Sequence, residues 1–203
     1  MPWANGRGVT AEICVSPAAP QQWSWRLSIA DVPDDGAFSM FHGVTRHIMV
    51  VDGVGMGLTI DGSVEQRVEF GSAPLSFAGD AKTTCRLLDG PVTDLNLMVR
   101  RAAGAGALLV ERVSADHRLV DADLVGSHPG VAMVVVRGVA RVGTYELAPF
   151  DAVLLEVGDP MPDVVAVIDS IIAIATFTEF TEPYDAKRAT IVDAPSGAPN
   201  IRG

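Results

Sequence analysis

The stretch Leu75-Ser-Phe-Ala-Gly-Asp-Ala-Lys-Thr-Thr-Cys-Arg-Leu-Leu-Asp-Gly-Pro-Val-Thr-Asp-Leu-Asn-Leu-Met-Val-Arg-Arg101 alternates apolar and polar residues, the period of a β-strand rather than a helix. Asp89-Gly90-Pro91 breaks it with turn chemistry. In its last part Asp94, Asn96 and Arg100 fall on one strand face. Two readings of that face are open. It is a solvated surface, or it lines a pocket inside a barrel.

The same alternation recurs on both sides. Val9 to Val15 sets Val9, Ala11, Ile13 and Val15 against Thr10, Glu12 and Cys14. Trp23 to Ile29 sets Trp23, Trp25, Leu27 and Ile29 against Ser24, Arg26 and Ser28. Further β-rich runs are His47 to Val51, Met56 to Ile60, Val64 to Phe70, Thr83 to Leu88, Thr93 to Val99 and Leu108 to Val113. Val131 to Arg137, Ala140 to Leu147, Ala152 to Val157 and Ile171 to Thr178 follow. Asp52-Gly53, Asp61-Gly62, Gly138 and Gly158-Asp159-Pro160 punctuate them. Short strands with such turns predict an all-β antiparallel sandwich or barrel. The one helical expectation is a short turn near Asp31 to Met40.

The spacing suggests two β halves, residues 1–101 and 108–181. Ala102 to Ala107 reads as a small-residue connector and residues 182–203 as a loosely packed tail. A chain of 203 residues, 48% hydrophobic and 20% charged, is globular and buries a sizeable core unaided. Its formal net charge of −10 argues against nucleic acid or an anionic membrane as partner. Cys14 and Cys85 lie inside strand patterns and read as buried thiols rather than a disulfide. With no signal peptide visible and no apolar run long enough to span a bilayer, a cytoplasmic protein is expected.

Five blocks carry a family resemblance: Trp3 to Glu12, Trp25 to Ala30, Phe38 to Arg46, Phe77 to Asp80 and Asp94 to Met98. In order and spacing they resemble the HutD/Ves family, over about the first 101 residues. The resemblance implies a cupin-like fold of two β-barrel-like halves, a bicupin. It also implies an association with histidine utilisation or, in the other branch, with environmental stress. The implied ligands are small carboxylates such as urocanate or formylglutamate. Leu95 stands where the family usually has Phe, next to Asn96, and Arg7 where it has a third glycine.

Arg46 leads the candidate ligand residues, because a guanidinium offers a planar fork that matches a carboxylate. A salt bridge to a nearby acid is the plain alternative. Arg26 and Ser28 share one strand's polar face, and Thr10 and Glu12 another's. Paired, these strands combine their polar faces into one lining or into one wet surface. Asp94 and Asn96 suit a ligand with amide and carboxylate groups, or a structural network to Arg26 or Arg100. Phe77 and Trp25 are candidate walls for a planar ligand. Asn5, in Asn5-Gly6-Arg7-Gly8, sits in a turn-like loop without the helix and lysine of a phosphate loop.

His42, His47, His117 and His128 lack metal-ligand spacing, so neither metal nor cofactor is expected. No nucleophile, base and acid set can be assembled. The expected function is a small-molecule binder that senses or regulates histidine utilisation. The alternatives are a metal-independent isomerase or hydrolase with Glu12 or Asp94 as base, and a structural protein with its second half as a homodimer platform.

Overall fold

Asp61 and Gly62 take φ of +49° and +71°, and the Ser63 N–H donates to the Ile60 carbonyl at 2.9 Å. This is the tight turn that an Asp-Gly pair between strands encodes. A computed structural model describes residues 9–16, 23–119, 130–156, 159–160, 162–179 and 190–192. Among them the secondary structure is all β, without a helix. They form two units, divided at Ala102/Ala103.

The first unit contains β1 (Thr10–Ser16), β2 (Trp25–Val32), β3 (Gly36–Ala37), β4 (Val44–Asp52), β5 (Gly55–Ile60), β6 (Gln66–Glu69), β7 (Leu75–Ala78), β8 (Thr83–Leu87) and β9 (Val92–Arg100). They make a five-stranded sheet, β1-β2-β9-β4-β7, and a four-stranded sheet, β3-β8-β5-β6. The sheets face each other across a core built from Ile48 and Val50 on one side and Met56, Leu58, Val68 and Cys85 on the other. Strand β9 is central, and every residue from Val92 to Val99 is buried. Asp94 and Asn96 are therefore interior, not solvated.

The second unit contains β10 (Gly104–Val113), β11 (Gly130–Arg137), β12 (Ala140–Val142), β13 (Tyr145–Leu147), β14 (Ala152–Leu155), β15 (Val164–Ala166), β16 (Ser170–Glu179) and β17 (Thr190–Val192). Its sheets are β10-β16-β11-β14-β17 and β13-β12-β15. Val131, Met133, Ile172 and Ile174 pack against Ala140, Val142, Leu147 and Val164. Its buried polar residues are Ser170 and Thr176, among the described residues, and none is charged.

Several expectations are corrected. The helical turn near Asp31 to Met40 is the end of β2 and the short β3. Gly104 to Ala107, read as a link, opens β10 and pairs with β16. Within residues 182–203, Thr190–Val192 pairs with β14, and the rest of that tail lies outside the described residues. A bulge between Glu12 and Cys14 resets the alternation of β1, so Val15 opposes Arg26 and leaves the face of Ala11. Leu95 projects on the face opposite Asn96, toward Ile29 and Met49. Arg7 lies outside the described residues.

Gly138 follows an irregularity in β11 and has φ of +90°. A Cβ there meets the Ser170 side chain and the Asp169 carbonyl. Gly138→Ala is therefore expected to cost about 1–3 kcal/mol, read as a lower Tm in thermal unfolding.

Candidate functional site

Antiparallel partners project from the same face, so the register of the five-stranded sheet places the polar residues in rows. Arg26, Met98 and Arg46 stand opposite one another across β2, β9 and β4. The next row is Glu12, Ser28, Asn96 and Ile48, and the next is Thr10, Ala30, Asp94 and Val50. This face looks toward the four-stranded sheet. Its lower part fills with Ile48, Val50 and their apolar partners, and the polar rows lie beside that core.

Arg46 is 5% exposed, and Asn96, Ser28 and Asp94 are 3%, 1% and 1% exposed. The Arg46 guanidinium lies over the rings of Phe38, Phe77 and Phe41 at 5.0, 5.3 and 5.7 Å. Arg26 lies over Trp23 at 5.7 Å and Phe41 at 5.9 Å, and its Nη2 approaches Met98 Sδ at 3.6 Å. Aromatic rings attract the cation through their faces but offer its N–H groups no oxygen or nitrogen acceptor. Arg46 Nε, Arg26 Nε, Asn96 Oδ1 and Asp94 Oδ1 are buried without a hydrogen-bond partner among the described residues. Native interiors satisfy most such atoms, and each orphan costs about 1–3 kcal/mol.

The electrostatics follow from burial. Burial pushes the Asp94 carboxyl up to about 7, with Arg46 opposing and Asp31 adding. Burial pulls Arg46 down to about 10, opposed by Asp94 and reinforced by Arg26. In a good ion pair each partner would hold the other charged. Here desolvation outweighs attraction at both ends, so Asp94 does not neutralise Arg46 as a contact partner would. Arg26 is also lowered by burial, with Glu12 opposing.

Arg46, Arg26, Ser28, Asn96, Asp94 and Phe77 thus come together. Glu12 shares the Ser28 row but is exposed on the edge strand and acts on Arg26 only through its charge. Trp25 is corrected. It opposes Val99 and projects from the other face of the sheet, so it is no wall of this cluster. Trp23 takes that place from outside the strand, beyond the bend at Ser24 where the two-residue period lapses. Phe38, Phe41 and Met98 were not among the candidates. Phe38 and Phe41 fall in a loop, where no periodicity points inward. Asn5 lies outside the described residues.

Other groups carry less chemistry. His47 projects from the opposite face; its Nδ1 is 2.6 Å from Ser76 Oγ, and burial lowers its pKa. His42 and His117 are exposed, and His128 lies outside the described residues. Among the described residues no three His, Cys, Asp or Glu side chains converge as a metal site would require. Cys14 and Cys85 are free, and burial pushes both thiols up to about 12, which makes them poor nucleophiles. A cavity of about 300 Å³ lies by the end of β10, lined in part by Glu111, Arg112, His117 and Arg118. Arg118 there pairs with Asp163 at 2.9 Å on a solvent-exposed surface, and the cavity lacks the orphaned buried groups of the β2-β9-β4 cluster.

Known proteins resemble this chain at three levels. The HutD family model matches residues 1–168. An uncharacterised 21.2 kDa protein in the hutC 3′ region of Pseudomonas putida is 41% identical over 99 residues, 48% of this chain and 52% of that protein. Protein Ves of Citrobacter koseri is 35% identical over 136 residues, 66% of each. The chain thus spans between half and two thirds of the length of these curated relatives. Among solved structures, HutD from Pseudomonas fluorescens SBW25 is 30% identical with a TM-score of 0.73, over 89% of this chain and 94% of that one. A conserved protein of unknown function from Pseudomonas aeruginosa PAO1 is 27% identical with a TM-score of 0.75, over 88% of this chain and 93% of that one. A cupin 2 conserved barrel domain protein from Leptotrichia buccalis is 10% identical with a TM-score of 0.54, over 83% of this chain and 88% of that one, a likeness of fold alone. With its cupin-like all-β fold and a family match from residue 1 to residue 168, the chain belongs to the HutD family.

Proposed function

We propose that this protein binds a small carboxylate in its first unit and serves as a sensor or regulator of histidine utilisation. The observation that carries the reading is Arg46: a buried guanidinium set among aromatic rings, with its Nε left unpartnered. A buried cation in that state calls for an anion with two in-plane acceptors, and a carboxylate fits in two parallel hydrogen bonds. Arg26 adds a second positive group in the same row. Asn96 Oδ1 asks for an N–H donor, which favours a ligand bearing an amide or imidazole as well. Urocanate and formylglutamate both have that make-up. The hutC-region name of the P. putida relative supports the pathway. On this reading the fold is a bicupin and the protein is cytoplasmic, with a homodimer as a further proposal.

Thermal-shift titration tests the reading. Mass action stabilises any protein whose folded state binds, by about 2.7 kcal/mol at a hundred times Kd. For a chain of this size that is a rise in Tm of roughly 5–10 °C. Urocanate or formylglutamate is expected to produce it, and formate a smaller rise that formamide does not match. Flat melting curves at millimolar urocanate and formylglutamate would sink the proposal.

Asp94 favours a second reading. A buried carboxyl that titrates near neutrality suits a general acid or base, so the cluster also fits a metal-independent isomerase or hydrolase acting on the same acids. Loss of urocanate or formylglutamate on incubation, abolished by Asp94→Asn, would move the assignment there.

A further inference from the structure

We propose that the site takes up a carboxylate together with one proton, which Asp94 draws from solvent and then holds as a neutral acid able to donate to the ligand. The inference rests on the carboxylate reading of the same cluster.

The geometry is specific. Asp94 is the third residue of the central strand, 1% exposed, with apolar Ala30 and Val50 beside it in its row. Its Oδ1 has no hydrogen-bond partner among the described residues. The ionisable groups packed around it are few. Arg46 lies two rows along the same sheet face on β4 and reaches it through its charge, and Arg26 lies on the same face of β2. Cys85, from β8 in the facing sheet, is a neutral thiol that feels Asp94's charge. Asp31 belongs to the opposite face of β2 and accepts from Thr93 Oγ1 at 3.3 Å. Glu12 on β1 is exposed. Arg46 is the principal influence that favours the charged form of Asp94, against burial and Asp31.

An entering carboxylate changes that balance twice. It engages Arg46 and screens its field from Asp94, and it brings a second negative charge into a dry enclosure. Both effects favour the protonated acid. Two carboxylates sharing one site hold one proton between them for the same reason. By linkage, whatever raises the proton affinity of Asp94 on binding makes binding tighter at lower pH, and the two couplings are equal. As an acid, Asp94 also becomes a donor to a ligand oxygen.

Isothermal titration with formylglutamate tests this, because that probe has no group of its own titrating between about pH 5 and 9. Titrations in phosphate and in Tris are expected to differ in apparent enthalpy, with a slope against buffer ionisation heat that gives net proton uptake, up to about half a proton per ligand at pH 7 and more at pH 8. Between pH 6.5 and 8.5 Kd is expected to weaken by up to about tenfold per unit. Asp94→Asn is expected to bind with a flat pH profile and no uptake. Binding with zero uptake and a flat profile in the wild-type protein overturns the inference and leaves the carboxylate reading standing. An unchanged profile in Asp94→Asn does the same. No heat at millimolar formylglutamate removes both.

Discussion

Arg46→Met is expected to erase the response to carboxylates while leaving the Tm of the unliganded protein within a few degrees of wild type. Both effects follow from the loss of one charge. Arg46 carries a positive charge into a nearly dry site, and no acid there compensates it as a contact ion pair would. Methionine has a similar length, keeps the contacts with Phe38, Phe41 and Phe77, and removes the charge. Replacing buried ionic groups by apolar ones of similar size is often neutral or stabilising by about 1–4 kcal/mol. The lost cation–π attraction offsets part of that gain, about 2 kcal/mol or more for a desolvated site. The two nearly cancel, so the Tm of the unliganded variant is expected to stay within a few degrees of wild type. Binding is affected far more. A bidentate charge-assisted contact contributes about 1.5–3 kcal/mol per hydrogen bond, so affinity is expected to fall by at least a hundredfold. Thermal melts with and without formylglutamate read both effects in one experiment. A variant that melts lower yet still responds to the ligand would show that Arg46 is structural.

The largest loss of stability is expected from Ile48→Ala. Ile48 is 0% exposed and stands opposite Asn96, at the boundary where the polar rows meet the apolar core. It packs in the cluster that joins both sheets of the first unit, with Val50, Met56 and Leu58. Truncation removes the transfer contribution and leaves a cavity, about 2–5 kcal/mol for such a site. A fall in Tm of roughly 5–15 °C follows for a chain of this length. Ile48→Val, which removes one methylene, is expected to cost about 0.5–1.5 kcal/mol. Denaturant unfolding of both variants measures the pair. The gap between them tests whether this boundary is packed as tightly as the rest of the interior.

Much of the fold was legible because its longer strands, such as β1 and β2, alternate with period two and others end in Asp-Gly or similar turns. The misses have separate physical causes. Strand β3 is two residues long and β15 three, too short for a period to show. Strand β7 hides within the Leu75 run. The Gly104–Ala107 segment lacks large side chains, so composition suggested flexibility where ladder hydrogen bonds to β16 hold it extended. The site was legible in part. Alternation put Arg26, Ser28, Asp94 and Asn96 on shared faces, and the register joins those faces. Alternation alone does not distinguish a wet face from a polar interior, because that depends on a second sheet lying across it. The bulge after Glu12, which turns Val15 onto the face of Arg26, has no marker in the sequence. Phe38 and Phe41 arrive through a loop, and only the folded chain brings them to Arg46.

Strand β9 is at once the middle of the first unit's larger sheet and the bearer of Asp94 and Asn96. This has an evolutionary consequence. A binder whose recognition residues sit on surface loops can explore new ligands with little effect on its scaffold. Here each change at position 94 or 96 is also a change in the least exposed strand of the unit. Drift toward a different ligand must pass through variants whose folding is altered, and it is open only to a chain with stability in reserve.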